Sequence, residues 1–113
     1  MNLSPRQLRI FVSLAQSLSF SRTAEHFCIT QPTLSKLVRD IEEEVGVRLF
    51  ERTTRSVKLT AEGEALVGVA TRVTQEFDTG VTEFEEMARR GTQRLSIAAL
   101  SDNGAPSIAS DVR

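Results

Sequence analysis

The sequence is poor in the residues on which most metal and redox sites depend. Its 113 residues include one histidine, one cysteine, no tryptophan and no tyrosine, so aromatic burial rests on six phenylalanines. Because Cys28 is the single cysteine, the chain cannot form an internal disulfide framework, which fits the cytoplasm. His26 has no second histidine and no Cys-x-x-Cys pair with which to complete a metal site. We therefore expect no metal and no cofactor, and we interpret His26 as a packed or surface residue and Cys28 as a small buried one.

The sequence also lacks the common patterns of catalysis and of membrane insertion. It contains no glycine-rich phosphate loop, no Ser–His–Asp set and no isolated pair of carboxylates, so it does not predict an enzyme. No apolar run is long enough to cross a membrane. A secretory signal would begin with a basic segment followed by an apolar core, and the N-terminus has neither. We expect a cytoplasmic protein that does not associate with membranes.

Charge is unevenly distributed along the chain, whose formal net charge is −1. Residues 1–60 hold nine Lys or Arg against six Asp or Glu, a net charge of +3. Residues 61–113 hold five against nine, a net charge of −4. A basic front half and an acidic rear half suggest a polyanionic partner at one end only.

The stretch from Ser21 to Gly46 predicts two short helices joined by a tight turn. In the second helix, Thr30 is the expected N-cap and Pro32 falls in the first turn, where its missing N–H breaks no intrahelical hydrogen bond. The apolar stripe of this helix consists of Leu34, Leu37, Val38, Ile41 and Val45. Its opposite face carries Pro32, Ser35, Lys36, Arg39 and Glu43. We interpret the acidic run 42–44 as a solvated face, followed by a stop at Gly46.

The first helix of the pair is shorter, with Ser21 as its expected N-cap and with Ala24 and Phe27 on its inward face. Ala24 is small, as the close crossing of two helices in a helix-turn-helix requires. In that motif the first helix braces the second, whose N-terminal half enters a major groove. Periodicity alone fits an ordinary helical hairpin of an all-α domain equally well.

A helix and a hairpin are predicted on either side of this pair. Upstream, Ser4 is the expected cap and Pro5 the first position of a core helix that ends at about Leu18. Downstream, residues 47–59 predict a β-hairpin around a basic, threonine-rich turn. Its basic residues are Arg48, Arg52, Arg55 and Lys58. Such a hairpin is a wing that contacts phosphates or reaches a minor groove, and a solvated hairpin with ordinary surface charge is the alternative.

A long helix from about Ala61 to Arg89 is predicted next, with Thr60 as its cap and Gly91 just past its end. Its heptad-type seam consists of Leu66, Ala70, Val73, Phe77, Gly80, Phe84 and Met87. One helix cannot cover this seam, so we expect dimerisation through the same helix of a second subunit. Packing against the chain's own N-terminal domain is the alternative. We expect one strand over residues 95–100 and little order over residues 101–113.

Taken together, these residues resemble the LysR-type transcriptional regulators over about residues 3–100. The resemblance is carried by many matches in register, among them Phe20-Ser21, Thr23-Ala24, Thr30-Gln31-Pro32-Thr33-Leu34-Ser35, Leu49-Phe50-Glu51-Arg52, Leu59-Thr60 and Glu62-Gly63. It implies a mainly α fold, in which residues 1–60 form a winged helix-turn-helix of three helices plus a β-hairpin wing. The helix-turn-helix covers about residues 19–38 and the wing residues 47–59. A long dimerisation linker helix over residues 61–90 then pairs antiparallel in a dimer.

The resemblance also implies sequence-specific binding of an interrupted palindrome in double-stranded DNA by a bacterial regulator. Our DNA-binding candidates are Ser21, Gln31, Pro32, Thr33, Ser35, Lys36 and Arg39 in the helix-turn-helix and Arg52 and Arg55 in the wing. The expected partners are promoter or operator DNA and a second copy of the chain, with RNA polymerase as a candidate partner of the full-length protein.

One departure from the family concerns the end of the chain. Relatives continue into an effector-binding domain, which residues 101–113 do not resemble. We therefore interpret residues 91–113 as a hinge and the truncated start of an absent effector-binding domain. A hypothesis of a different class follows, in which the chain is a dimerising interaction module that sequesters full-length regulators and senses no effector.

Overall fold

The computed structural model describes the backbone of residues 1–101 and the side chains of residues 1–91. Its elements in chain order are α1 (Pro5–Ser17), α2 (Phe20–His26), α3 (Gln31–Val45), β1 (Phe50–Arg52), β2 (Val57–Leu59) and α4 (Ala61–Ser101). The two strands form one antiparallel hairpin. This is the predicted mainly α arrangement of three helices, a hairpin wing and a long helix. The chain divides into two compact units, one over Met1–Gln75 and the other from Glu76 onward.

The ends of α1 and α3 follow from local hydrogen bonds. Ser4 Oγ accepts from the Gln7 N–H at 3.1 Å while the Gln7 side chain accepts from the Ser4 N–H at 2.8 Å, which forms a capping box. Thr30 Oγ1 caps α3 by accepting from the Thr33 N–H at 3.2 Å. Gly46 ends α3 at φ +80°, a conformation that residues with a Cβ rarely adopt. The predicted caps of both helices are confirmed.

The cap of α2 differs from the prediction, because Ser19 and not Ser21 is the N-cap. Ser19 has an extended backbone, and its Oγ accepts from the Arg22 N–H at 3.1 Å. The helix therefore begins at Phe20, whose ring lies edge-on to that of Phe50 with centroids 6.5 Å apart. Packing of this ring favours the earlier start, and Ser21 lies exposed within the first turn.

A single apolar cluster forms the core of the first unit. Its buried members are Leu8, Ile10, Phe11, Leu14, Ala24, Leu34, Val38, Ile41, Leu49, Phe50 and Ala70. The rings of Phe11 and Phe50 meet edge to face at 5.5 Å. Ala24 is 3% exposed, as expected for the small residue at the helix crossing. Thr23 is also buried. Its hydroxyl forms a hydrogen bond of 3.0 Å with Ser17 Oγ, so the buried hydroxyl has a hydrogen-bond partner.

The start of α4 is tied to the start of the hairpin. Thr60 Oγ1 accepts from the Gly63 N–H at 2.9 Å, as predicted for the cap, and donates to the Arg48 carbonyl at 2.7 Å. A Cβ at Gly63 would lie 2.2 Å from the carbonyl oxygen of Leu49. This close approach of helix to backbone requires glycine.

Two predictions about the end of the long helix are wrong. α4 does not end at Gly91 but continues to Ser101, so residues 95–100 are helical and not a strand. Two leucines and two alanines make up four of the six residues of this segment, and both residue types favour helix. A lone strand would also leave its backbone groups without partners, whereas a helix pairs them locally. The expectation of little order beyond Ser101 lies outside the described residues.

Two side chains lie where the sequence did not predict them. Glu42 is not solvated, since its side chain is 12% exposed and its Oε2 accepts from the N–H groups of Leu49 and Phe50 at 2.8 and 3.3 Å. Cys28 is exposed and not buried. The tight turn between α2 and α3 needs a residue in the left-handed region, and Cys28 takes that role at φ +57° with its side chain on the surface.

Candidate nucleic-acid interface

One side of α3 faces solvent and carries most of the predicted DNA-binding residues. Leu34, Val38 and Ile41 fix the buried side of the helix. Residues roughly opposite, at about 100° per position, are exposed. The predicted residues that the structure exposes on α3 are Gln31, Pro32, Thr33, Lys36 and Arg39, while Ser35 is half-buried at the edge of the helix nearest the wing.

Arg52 connects the wing to both helices of the helix-turn-helix. The hairpin register pairs Arg52 with Val57, and alternation places Arg52 on the same face of β1 as the buried Phe50. The guanidinium carbon lies 4.5 Å from the centroid of the Phe20 ring, a cation–π contact. Its Nη1 donates to Ser35 Oγ at 3.4 Å. Arg52 is therefore held beside α3.

Arg55 occupies the tip of the wing. The Thr53 N–H donates to the Ser56 carbonyl at 2.9 Å and closes the turn. Thr53 Oγ1 also accepts from the N–H groups of Arg55 at 3.2 Å and Ser56 at 3.0 Å. One threonine side chain thus orders the whole turn, and the exposed Arg55 projects from an ordered backbone. The structure separates the two predicted wing residues, with one beside α3 and the other at the tip.

An open groove runs along the C-terminal half of α3 and the base of the wing. Its lining residues are Arg39, Glu42, Glu43, Gly46, Val47, Arg48 and Arg52. Arg48 was not among our candidates, although it belongs to the basic hairpin sequence. Its Nε lies 3.8 Å from Glu42 Oε2, which places it at the groove. The basic composition of the hairpin sequence predicted a basic wing, but it does not show which of the four basic residues lies at the groove.

The two cations on the exposed side of α3 differ in their surroundings. Lys36 Nζ lies 2.9 Å from Asp40 Oδ2, one helical turn further on. The Lys36 side chain is 69% exposed and the Asp40 side chain 45% exposed. Among the side chains that the structure describes, Arg39 has no ion-pair partner. Arg39 is thus the cation of α3 that is most available to a ligand.

The predicted dimerisation residues on α4 fall into two groups. Leu66 and Ala70 belong to the first unit and pack against its core, where Ala70 is fully buried. Val73, in the same unit, is 45% exposed. Among the side chains of the second unit that the structure describes, the exposed large apolar ones are Phe77, Val81, Phe84 and Met87. Their spacing of three and four places them on one side of the helix.

The described part of the chain offers no candidate metal or membrane-spanning site. Residues 1–91 contain no group of three His, Cys, Asp or Glu side chains placed to hold an ion. His26 is exposed, and its ring lies edge-on to that of Phe27 at 4.9 Å. None of the described helices is both long enough and apolar enough to cross a bilayer.

The model of the bacterial regulatory helix-turn-helix protein, lysR family, matches residues 5–64. This span contains all three helices of the first 60 residues, both strands of the wing and the first turn of α4. The chain belongs to the LysR family of bacterial transcriptional regulators. That family consists of transcriptional regulators and is not an enzyme family.

Individual relatives agree with this assignment. The HTH-type transcriptional regulator BudR of Klebsiella aerogenes is 39% identical over 98 residues, which cover 87% of this chain and 68% of BudR. The HTH-type transcriptional regulator YfeR of Shigella flexneri is 36% identical over 99 residues, which cover 88% of this chain but only 32% of YfeR. The chain thus spans about a third of the length of such a relative.

Solved structures include relatives bound to DNA. The BenM DNA-binding domain in complex with catB site 1 DNA superposes with a TM-score of 0.72 at 36% identity, over 76% of this chain and 96% of that domain. The chain is therefore the DNA-binding part of a LysR-type regulator. None of these similarities supports the alternative of a module that sequesters full-length regulators.

Proposed function

We propose that this LysR-family chain reads a specific sequence in double-stranded DNA, in the cytoplasm of a bacterium. The N-terminal half of α3 enters the major groove, and the wing lies on the backbone or in the minor groove of an interrupted palindrome. The observation that carries the proposal is the solvent-facing side of α3, where exposed Gln31, Lys36 and Arg39 lie beside a wing that holds Arg52 and Arg55.

Base contacts come from α3. Arg39 is the candidate to bond guanine through two parallel N–H groups or to bond a phosphate. Its exposure and the lack of a competing ion pair among the described side chains support this role. Gln31, exposed at the first turn of α3, is the candidate reader of adenine, since a carboxamide matches the donor and acceptor of that base.

Backbone contacts come from the wing and the helix ends. Arg55 projects from the ordered turn at the wing tip toward a phosphate or a minor groove. Arg52 lies between the wing and α3 and reaches the phosphates beside the major-groove contact. Pro32, Thr33, Ser35 and the exposed Ser21 line the approach to the groove and position the chain, since such contacts fix register and carry no sequence information.

The palindrome requires two copies of α3 at a fixed separation, so the DNA-bound form is a homodimer. The exposed apolar side chains of α4 supply its interface, with Val73, Phe77, Phe84 and Met87 contacting the same helix of the second copy. Leu66 and Ala70 contribute indirectly, because they fix the start of α4 to the core of the first unit. In the full-length regulator, RNA polymerase is the further partner.

The test is a titration of labelled duplex with Arg39→Ala and Arg55→Ala. Both variants should bind more weakly. If Arg39 contacts a base, its loss should also relax preference at one position by about 1–3 kcal/mol. Arg55→Ala should weaken binding evenly across sequences and reduce the slope of log affinity against log salt by about 0.9.

Arg89→Ala is the matched control, because it removes an exposed arginine of α4 outside the winged helix-turn-helix and should leave affinity unchanged. If neither Arg39→Ala nor Arg55→Ala alters affinity, the DNA-facing side of the domain is not the one proposed.

A further inference from the structure

Lys36 and Asp40 form an ion pair on the side of α3 that the proposed function turns toward DNA. The ammonium and carboxylate are 2.9 Å apart and one turn apart along the helix. Glu43, three residues further on, is also exposed on this side. Two acids thus share the DNA-facing side of α3 with two cations, Lys36 and Arg39.

Local helix stability does not account for Asp40. Aspartate is a poor helix former. A pair in which the lysine precedes the acid by four residues is also the less favourable orientation. A residue that runs against two local preferences at a partly exposed position points to a function.

The pair has a direct consequence for DNA binding. Affinity for DNA of any sequence comes from cations that neutralise phosphates, and it grows with the number of such contacts. A carboxylate 2.9 Å from Lys36 Nζ competes with phosphates for that ammonium. It also repels phosphates itself. Both effects lower the affinity for every duplex, whatever its sequence.

We propose that Asp40 is a specificity-determining residue that suppresses binding to arbitrary DNA by holding the Lys36 ammonium on α3. Lys36 leaves Asp40 only at a site whose base edges and phosphates compensate for the lost ion pair. The operator meets that condition and a random duplex does not. This inference rests on the proposed function, since it requires the exposed side of α3 to face DNA.

The test measures binding of the whole chain to two duplexes of equal length, one selected for tight binding and one of random sequence, over a range of salt. Asp40→Asn should raise the affinity for the random duplex by about fivefold near 0.1 M salt, because the freed Lys36 gains about one phosphate contact. The slope of log affinity against log salt should steepen by about 0.9. The ratio of selected to random affinity should fall, since the selected duplex gains less.

Two further variants separate the ion pair from net charge. Glu43→Gln makes the same change in charge on the same side of α3 without touching the Lys36–Asp40 pair, and it should move the random-duplex affinity much less. In a Lys36→Ala background, Asp40→Asn should lose most of its effect. Equal effects of Asp40→Asn and Glu43→Gln, or an effect of Asp40→Asn that is undiminished without Lys36, would overturn the proposal.

Other outcomes are also decisive. If Asp40→Asn abolishes preference at a single base pair and leaves random affinity unchanged, Asp40 reads cytosine directly and the proposal is wrong. Asp40→Ala serves as a second variant, and circular dichroism checks that each variant keeps its helix content. If the unmodified chain binds no duplex, or if neither Arg39→Ala nor Arg55→Ala alters affinity, the proposed function itself fails. If both behave as proposed while Asp40→Asn changes nothing, only the present inference fails.

Discussion

At the scale of single residues, Glu42 connects α3 to the wing. Its carboxylate accepts from two consecutive backbone N–H groups, those of Leu49 and Phe50, where the chain enters β1. The same oxygen lies 3.8 Å from Nε of Arg48. One side chain thus fixes the base of the wing against α3, the helix that carries the residues we propose to contact DNA.

We predict that Glu42→Ala lowers the free energy of unfolding by about 1–3 kcal/mol, because two backbone donors in a half-buried site lose their acceptor. Glu43→Ala is the matched control, since Glu43 is an exposed neighbour and its loss should cost less than about 0.5 kcal/mol. Urea unfolding followed by circular dichroism measures both. Equal losses would mean that the Glu42 contacts contribute nothing specific.

Glu42 also shows what the sequence could not predict at this scale. Nothing in the sequence distinguishes the three consecutive glutamates 42–44 from one another. Helix periodicity does not reveal that the backbone at Leu49 folds back to contact Glu42. Arg48 was missed for the same reason, since its place in the groove depends on how the loop between α3 and β1 folds back toward Glu42. By contrast, the exposure of Lys36 and Arg39 follows from the spacing of α3, because the buried stripe fixes the opposite side.

At the scale of elements, the start of α4 is fixed by its close approach to the hairpin. Gly63 lies in the first turn of α4, where a Cβ would collide with the carbonyl oxygen of Leu49 and with the Leu59 side chain. The Thr60 cap holds the same turn through the Arg48 carbonyl. The helix is therefore anchored to the wing before its exposed stretch begins.

We predict that Gly63→Ala destabilises the chain by about 1–3 kcal/mol, because the backbone must shift to admit the methyl group. Gly68→Ala is the control in the same helix, where a Cβ meets nothing within 4 Å. It should stabilise the chain by up to about 1 kcal/mol through helix propensity. The denaturant midpoints of the two variants are compared with that of the unmodified chain. If both midpoints shift in the same direction, the close contact at Gly63 is contradicted.

The elements themselves were largely predictable because their signals are local. Ser4, Thr30 and Gly46 mark helix ends through hydrogen bonds and backbone angles within a few residues. The N-cap of α2 could not be predicted, because Ser19 and Ser21 are equally good caps and the packing of Phe20 decides between them. The apolar run over residues 95–100 was ambiguous for the same kind of reason, since a short run fits either strand or helix.

At the scale of the whole chain, basic residues and exposed apolar side chains lie in different parts of the sequence. The basic first 60 residues form the winged helix-turn-helix. The exposed apolar side chains of the second unit lie along α4. Domains that read palindromes need both properties, one to contact DNA and one to fix the spacing of two copies. That requirement makes the form of the preferred DNA sequence a test of both properties at once.

The most direct test is selection of duplexes from a random-sequence library by the 113-residue chain at moderate salt. We predict enrichment of an interrupted palindrome. The variant Phe84→Glu, which puts a charge into the proposed interface, should instead select a single half-site. A half-site selected by the unmodified chain would contradict the dimer while leaving DNA binding intact. If no sequence is enriched, the central claim of sequence-specific DNA recognition is contradicted.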